Sequence, residues 1–257
     1  MSGHFFARFN LQNAVGNFPA SATLLSAFSG ESPEQSQSYL DTFQQIQDDR
    51  VNRLRQKFGK EIETLRHKTV LFLGDSITSD NLGYRASVSD AADLISYDGS
   101  VSGGTSSTVL HSAKIIIESI RPDFVSIMIG SNDSVSIERE SLHQVSIEEY
   151  RRNVNTILEW ATNCGSKILL FEIPPICEPD FIKSFHKQGK LQSNQTIQEY
   201  NGVLKDLAKQ YGIPLISHDR LRKDVHLEND GIHLNMDGQE QIAEQWLVSA
   251  SERLKKH

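Results

Sequence analysis

The chain is poor in cysteine, in positive charge and in long apolar runs, and each scarcity removes a class of protein. Two cysteines, Cys164 and Cys177, occur in 257 residues. They fit neither a disulfide framework nor a metal-ligand spacing, so both read as reduced structural thiols. No stretch approaches the apolar length needed to span a bilayer, so no membrane association is expected. The N-terminus has no basic n-region, and Arg8, Asn10, Gln12 and Asn13 interrupt any apolar run. It does not read as a signal peptide, and a cytoplasmic placement is expected. Lys and Arg number 26 against 33 Asp and Glu, a formal net charge of −7. Nucleic acid is therefore a poor candidate partner, because phosphate binding needs a concentrated positive surface. What is present, 38% hydrophobic and 23% charged residues, is the composition of a soluble globular protein. The length allows one α/β domain with a sizeable core plus an additional element.

Composition divides the chain in two: residues 1–67 are an N-terminal arm and amphipathic helix, and residues 68–257 form the main domain. Residues 1 to about 31 are rich in Asn, Ser, Gly and Phe without sustained periodicity and read as an extended arm or loop. A helix then begins, with Ser32 as cap, Pro33 in the first position and Gln35 placed to complete a capping box. Leu40, Phe43, Ile46, Val51, Leu54, Phe58, Ile62 and Leu65 recur at mostly three- and four-residue intervals to about residue 66. This apolar stripe must be buried, either on the body of the same chain or in a homodimer contact through the N-terminal helix.

From residue 68 short apolar runs alternate with helical stretches. Thr69–Leu73, Leu94–Tyr97, Phe124–Ile129, Lys167–Ile173 and Pro214–Ser217 are five candidate strands. Helical stretches fall near 106–120, 146–163, 193–211 and 237–255. This alternation implies βαβ units and a parallel sheet covered on both faces, a three-layer α/β/α domain.

In such a sheet ligands collect where strands end, so the polar residues there carry the functional signal. Gly74-Asp75-Ser76-Ile77-Thr78 follows the first strand and can present a serine hydroxyl to a cleft. Gly99 to Ser107 follows the second and opens a helix, where exposed N–H groups favour a developing oxyanion or a phosphate. Gly130-Ser131-Asn132-Asp133 ends the third, and an Asn amide can donate to an oxyanion without adding charge. Asp230-Gly231-Ile232-His233 precedes the last helix and can set a carboxylate beside an imidazole. Each segment alone has an ordinary turn reading. Together they supply a nucleophile, oxyanion donors and an Asp–His couple, the inventory for acyl transfer.

In this order the four segments resemble the sequence blocks of the SGNH (GDSL-type) hydrolases, over residues 68–255. Glu149-Tyr150-Arg151-Arg152-Asn153, Ile173-Pro174-Pro175 and Tyr200-Asn201 are also similar to that family. The resemblance implies a flavodoxin-like sheet of order 2-1-3-4-5 and a metal-independent esterase or lipase-like activity with no cofactor. It implies Ser76 as nucleophile, His233 as general base and acid, and Asp230 as the residue orienting His233. The backbone N–H groups of Ser76 and Gly103 and the Asn132 side chain would form the oxyanion hole. Ile77 stands where the eponymous motif has Leu, a hydrophobic exchange. The resemblance does not extend to residues 1–67.

The expected function is hydrolysis of carboxylic esters of small molecules through a Ser-His-Asp triad and an acyl-enzyme. An acyltransferase sharing that intermediate is one alternative. A nucleotide- or phosphate-binding α/β protein is another, though the glycines match neither G-x-G-x-x-G nor a P-loop. A third is an idle interaction domain built on the long helix. His218 is a rival base without an Asp three residues before it, while Asp75, Asp133 and Asn81 read as structural hydrogen-bonding groups. The substrate walls are expected from Asn81–Arg85, Ser134–Gln144 and Cys177–Leu191. These carry Glu138, Arg139, Glu140, Asp180, Lys183, His186 and Lys187, and few large apolar residues besides Phe181 and Phe185. A short acyl group, such as acetyl on an alcohol or sugar, suits them better than a long chain.

Overall fold

The computed structural model describes Arg8, residues 21–138 and residues 142–255. Most of the expected arm, and Arg139 and Glu140 of the expected walls, lie outside these residues. The end of the arm is not extended. Ser21 accepts from the Leu24 N–H and starts α1 (Ala22–Ser29), which closes on Gly30 at φ 77°. A single buried residue, Leu25, left too little periodicity to announce it.

Ser32 caps α2 (Pro33–Lys57) by accepting from the Gln35 N–H. The capping box is only half formed, because the Gln35 amide donates to the Tyr39 hydroxyl at 3.4 Å. The stripe is also not one helix. Phe58 departs to φ −120°, and α3 (Gly59–Leu65) resumes after it. Glycine is a weak helix former, so Gly59 makes this the cheapest place to break. The break lets both halves of the stripe reach the body of the same chain, where Leu54 and Leu65 are 1% and 0% exposed.

The core is a five-stranded parallel sheet of order β2-β1-β3-β5-β7: β1 (Thr69–Gly74), β2 (Ile95–Asp98), β3 (Phe124–Met128), β5 (Lys167–Phe171) and β7 (Leu215–Ile216). That is the expected order, since β4 (Ser136–Ile137) and β6 (Lys190–Leu191) form a separate two-stranded sheet. Successive strand residues point to opposite faces. Leu71, Leu73, Val125, Ile127, Ile168 and Leu170 face one core, shared with α6 (Ser106–Ile120), α7 (Ile147–Asn163) and α9 (Asn194–Tyr211). Val70, Phe72, Phe124, Met128, Leu169 and Phe171 face the other, shared with α5 (Tyr84–Ala91) and α10 (Met236–Lys255). Val51, Leu54, Ile62 and Leu65 of α2 and α3 belong to that second core. At ~1.5–3 kcal/mol for each fully buried apolar side chain, they tie the helical extension firmly to the sheet.

Two further helices, α4 (Ser76–Ser79) and α8 (Glu178–Phe185), were not anticipated, nor was α5. All three run eight residues or fewer, too short to show a helical period. The strand order reverses around β1, which puts the ends of β1 and β3 side by side, with Gly74 paired to Met128. Open α/β sheets bind ligands at such a switch point.

Candidate active site

Ser76 opens α4 directly beyond β1 and is half-buried. Asp75 caps this short helix, its Oδ1 accepting from the Ile77 N–H at 3.0 Å. Ser76 therefore occupies the first helical position, where a backbone N–H has no carbonyl one turn earlier to receive it. Burial pushes the Asp75 carboxyl up to about 6, while the Ile77 N–H and the charge of His233 work against that rise.

The loops after β2 and β3 are fastened to each other. Thr105 caps α6 in a capping box with Thr108, and Asp133 accepts from the Ser106 N–H at 3.0 Å and from the Ser106 hydroxyl. Desolvation raises Asp133 to about 6 as well, partly offset by those Ser106 hydrogen bonds. The Asn132 amide donates to the Gly104 carbonyl at 3.0 Å, so one of its two N–H groups is used on the loop. Gly103 is the exposed residue of that loop and sits at φ 74°, a left-handed conformation suited to glycine.

His233 completes the constellation. Its Nε2 lies 2.9 Å from Ser76 Oγ and its Nδ1 lies 2.6 Å from Asp230 Oδ2. The His233 and Asp230 side chains are 12% and 16% exposed, shielded but reachable. Asp230 Oδ1 accepts from the Ile232 and His233 N–H groups at 3.1 and 3.0 Å, which closes the turn. Burial pushes the Asp230 carboxyl up, but the His233 hydrogen bond and ring charge and these two amides outweigh it. The carboxyl is held below its ordinary value. Gly231 lies at φ 78°, and a Cβ there would come within 2.6 Å of Cys177 O and Phe181 N at the start of α8. Only glycine lets the turn close against that helix.

The residue types singled out in the sequence thus meet at one end of the sheet. Asp75 and Asp133 are structural hydrogen-bonding groups, as read. Asn81 donates its N–H to the Arg8 carbonyl at 3.2 Å. The rival base is elsewhere: His218 is 5% exposed, its Nε2 lies 2.7 Å from Glu172 O, and its ring stacks on Phe171. Burial lowers its pKa to about 4.

Several clamps were visible only as family-like text or not at all. Asn153 donates to the Ser106 and Ser107 hydroxyls, Tyr150 to the Ile129 carbonyl, and Asn201 pairs with the Ile173 N–H and C=O. Each pins a loop that follows a strand. Arg8 joins Asp80 to Glu228 across the site, and nothing in its local sequence marks it. Among the described residues no group of three or more His, Cys, Asp or Glu could hold a metal ion, and no helix is long and apolar enough to cross a membrane.

The fold recurs among solved structures. TesA matches with a TM-score of 0.57 at 22% identity, covering 72% of this chain and 99% of TesA. A GDSL-like lipase from Bacteroides thetaiotaomicron VPI-5482 matches with 0.57 at 21%, covering 77% and 97%. The acetyl xylan esterase AlAXEase matches with 0.56 at 19%, covering 70% and 98%. No curated protein sequence matches significantly. The family model described as "GDSL-like Lipase/Acylhydrolase family" matches residues 72–241, which run from the end of β1 through every segment described above from Ser76 to His233. The chain therefore belongs to the GDSL-like lipase/acylhydrolase family and is an ester hydrolase.

Proposed function

We propose that this chain hydrolyses short-acyl carboxylic esters through a Ser76–His233–Asp230 triad and an acyl-enzyme. The observation that carries the reading is the unbroken hydrogen-bond chain from Ser76 Oγ through both His233 nitrogens to Asp230, at 2.9 and 2.6 Å. With Asp230 accepting at Nδ1, the neutral ring holds its proton there and turns a basic Nε2 toward the serine.

Ser76 Oγ attacks the ester carbonyl carbon while its proton passes to His233 Nε2. Asp230 keeps the resulting imidazolium oriented and balanced in charge. The carbonyl oxygen becomes an oxyanion and accepts from the Ser76 and Gly103 N–H groups and from the second N–H of Asn132. Such donors are fixed before the charge develops, which is why they lower the barrier. Collapse of the tetrahedral intermediate breaks the bond to the leaving alcohol, which takes the proton from His233. Water then repeats the sequence on the acyl-Ser76, releasing the acid.

The short-acyl assignment rests on where the two phenylalanines of the walls go. Phe181 is 1% exposed and belongs to the core, and Phe185 packs against the same core. Both are committed to that core, which leaves the walls without an aromatic lining for a long chain. One similar structure is an acetyl xylan esterase, but at 19% identity that likeness bears on the fold alone.

A p-nitrophenyl ester series graded by acyl length tests both parts. The acetate should give the highest kcat/KM, and Ser76→Ala should leave only background, since the triad acts as a unit. A preference for long acyl chains refutes the short-acyl assignment. Wild-type turnover by Ser76→Ala refutes the nucleophile.

A further inference from the structure

Arg8 lies outside the region matched by the family model, yet it touches both sides of the active site. Its side chain is 3% exposed. Nε and Nη2 donate to the two carboxylate oxygens of Asp80 at 3.2 and 2.6 Å. Nη1 donates to Glu228 at 2.6 Å, and Nη2 also donates to the Leu234 carbonyl at 3.2 Å. Its own carbonyl accepts from the Asn81 N–H. Asp80 caps the C-terminal end of α4, the helix that Ser76 opens, and its Oδ1 accepts from the Leu82 N–H. Glu228 donates its N–H to the His233 carbonyl at 2.7 Å, and Leu234 is the next residue after His233. One guanidinium therefore spans from the nucleophile's helix to the base's loop.

The base loop needs such a tie. Residues 217–235 hold no helix and no ladder strand, only turns and the isolated bridge between Leu227 and Leu234. Beyond its internal turns and the bond from the Cys177 N–H to the Gly231 carbonyl, its position is set by side chains that reach it from elsewhere. A planar guanidinium suits the task, because its fork grips one carboxylate with two donors and keeps others for a second partner. A buried ion pair is a weak source of net stability but a strict source of geometry. The extension supplies a second buried arginine nearby: Arg50 of α2 donates to the Leu82 and Met236 carbonyls, on the far sides of the same two segments.

We propose that Arg8 is a positioning residue for the hydrolysis, holding the loop of His233 in register with the turn of Ser76, so that the segment before the family core takes part in catalysis. The proposal rests on the triad reading above. Arg8 meets no reacting atom and acts through Asp80, Glu228 and Leu234. Loss of the tie lets His233 drift from Ser76, and a misplacement of about 1 Å can cost on the order of 10²-fold in rate.

The test measures kcat and KM separately on p-nitrophenyl acetate for Arg8→Met, Arg8→Lys and Glu228→Gln in the full chain, with thermal melts to establish folding. Ser76→Ala is measured in parallel. Arg8→Met should lower kcat by on the order of 10²-fold with KM little changed, and Arg8→Lys should recover part of the loss. Glu228→Gln leaves the Arg8–Asp80 pair intact and removes charge from a side chain one-third exposed, so it should fold even if Arg8→Met does not. It should show a smaller fall, again in kcat. Wild-type kcat in the folded variants, with Ser76→Ala inactive, overturns the positioning role alone. Activity in Ser76→Ala overturns the triad reading and this proposal together.

Discussion

Ser76 and His233 reach the same end of the sheet by different routes. Ser76 follows β1, whose ladder is paired on both sides by β2 and β3, and its turn is closed by neighbours in sequence, the Asp75 side chain and the Asp75 carbonyl. His233 sits in a loop without regular structure, braced by partners far along the chain: the Cys177–Phe181 turn, Arg8 and the Ser76 hydroxyl itself. Both turns are closed by neighbours in sequence, but the first is placed by the sheet and the second, closed by Asp230, by contacts from distant segments. Local damage should therefore act on chemistry around the strand ends, and on position in the base loop.

The largest expected effect joins the two halves. On the proposed triad, His233→Ala should cost kcat on the order of 10⁶, as Ser76→Ala would, because neither group acts alone. Steady-state kinetics on p-nitrophenyl acetate would check it, and a loss of only a few-fold would contradict the pairing. On the strand-end side, Asn132→Ala should lower turnover about 10²–10³-fold, roughly 2.7–4 kcal/mol, with the melt barely moved.

In the base loop, Gly231→Ala should destabilise by on the order of 1–3 kcal/mol, because the new methyl meets the α8 backbone and the left-handed φ is strained. Gly202→Ala on α9, where nothing lies within 4 Å, should instead leave stability equal or raise it by about 0.5–1 kcal/mol. Denaturant unfolding of the two variants separates a positional glycine from an incidental one. The last effect is a pH slope. Asp133 is raised to about 6 from 3.8, so the stability it contributes is complete below 3.8 and is lost as pH rises through about 6. Asp133→Asn removes that titration. The stability of the variant relative to wild type should climb by about 1–3 kcal/mol from about pH 4 to pH 7. Parallel curves would contradict the shift.

The same division explains what could be read from the residues alone. The five sheet strands were legible as short apolar runs, and the helices near 106–120, 146–163, 193–211 and 237–255 because each is long enough to show its period. The Ser76, Asn132 and His233 segments were legible because each stands at a strand end or just before a helix and carries its own turn chemistry. The short helices α4, α5 and α8 and the break at Phe58 fell below that threshold. So did Arg8 and Glu228. Their pairing spans 220 positions and leaves no trace in the sequence around either residue.

The central claim is that Ser76 is the activated nucleophile. A fluorophosphonate probe reacts covalently with such a serine, and mass spectrometry of the digested protein locates the adduct. The account predicts a single adduct on the peptide carrying Ser76, lost in His233→Ala. An unlabelled Ser76, or labelling that survives in His233→Ala, would contradict it.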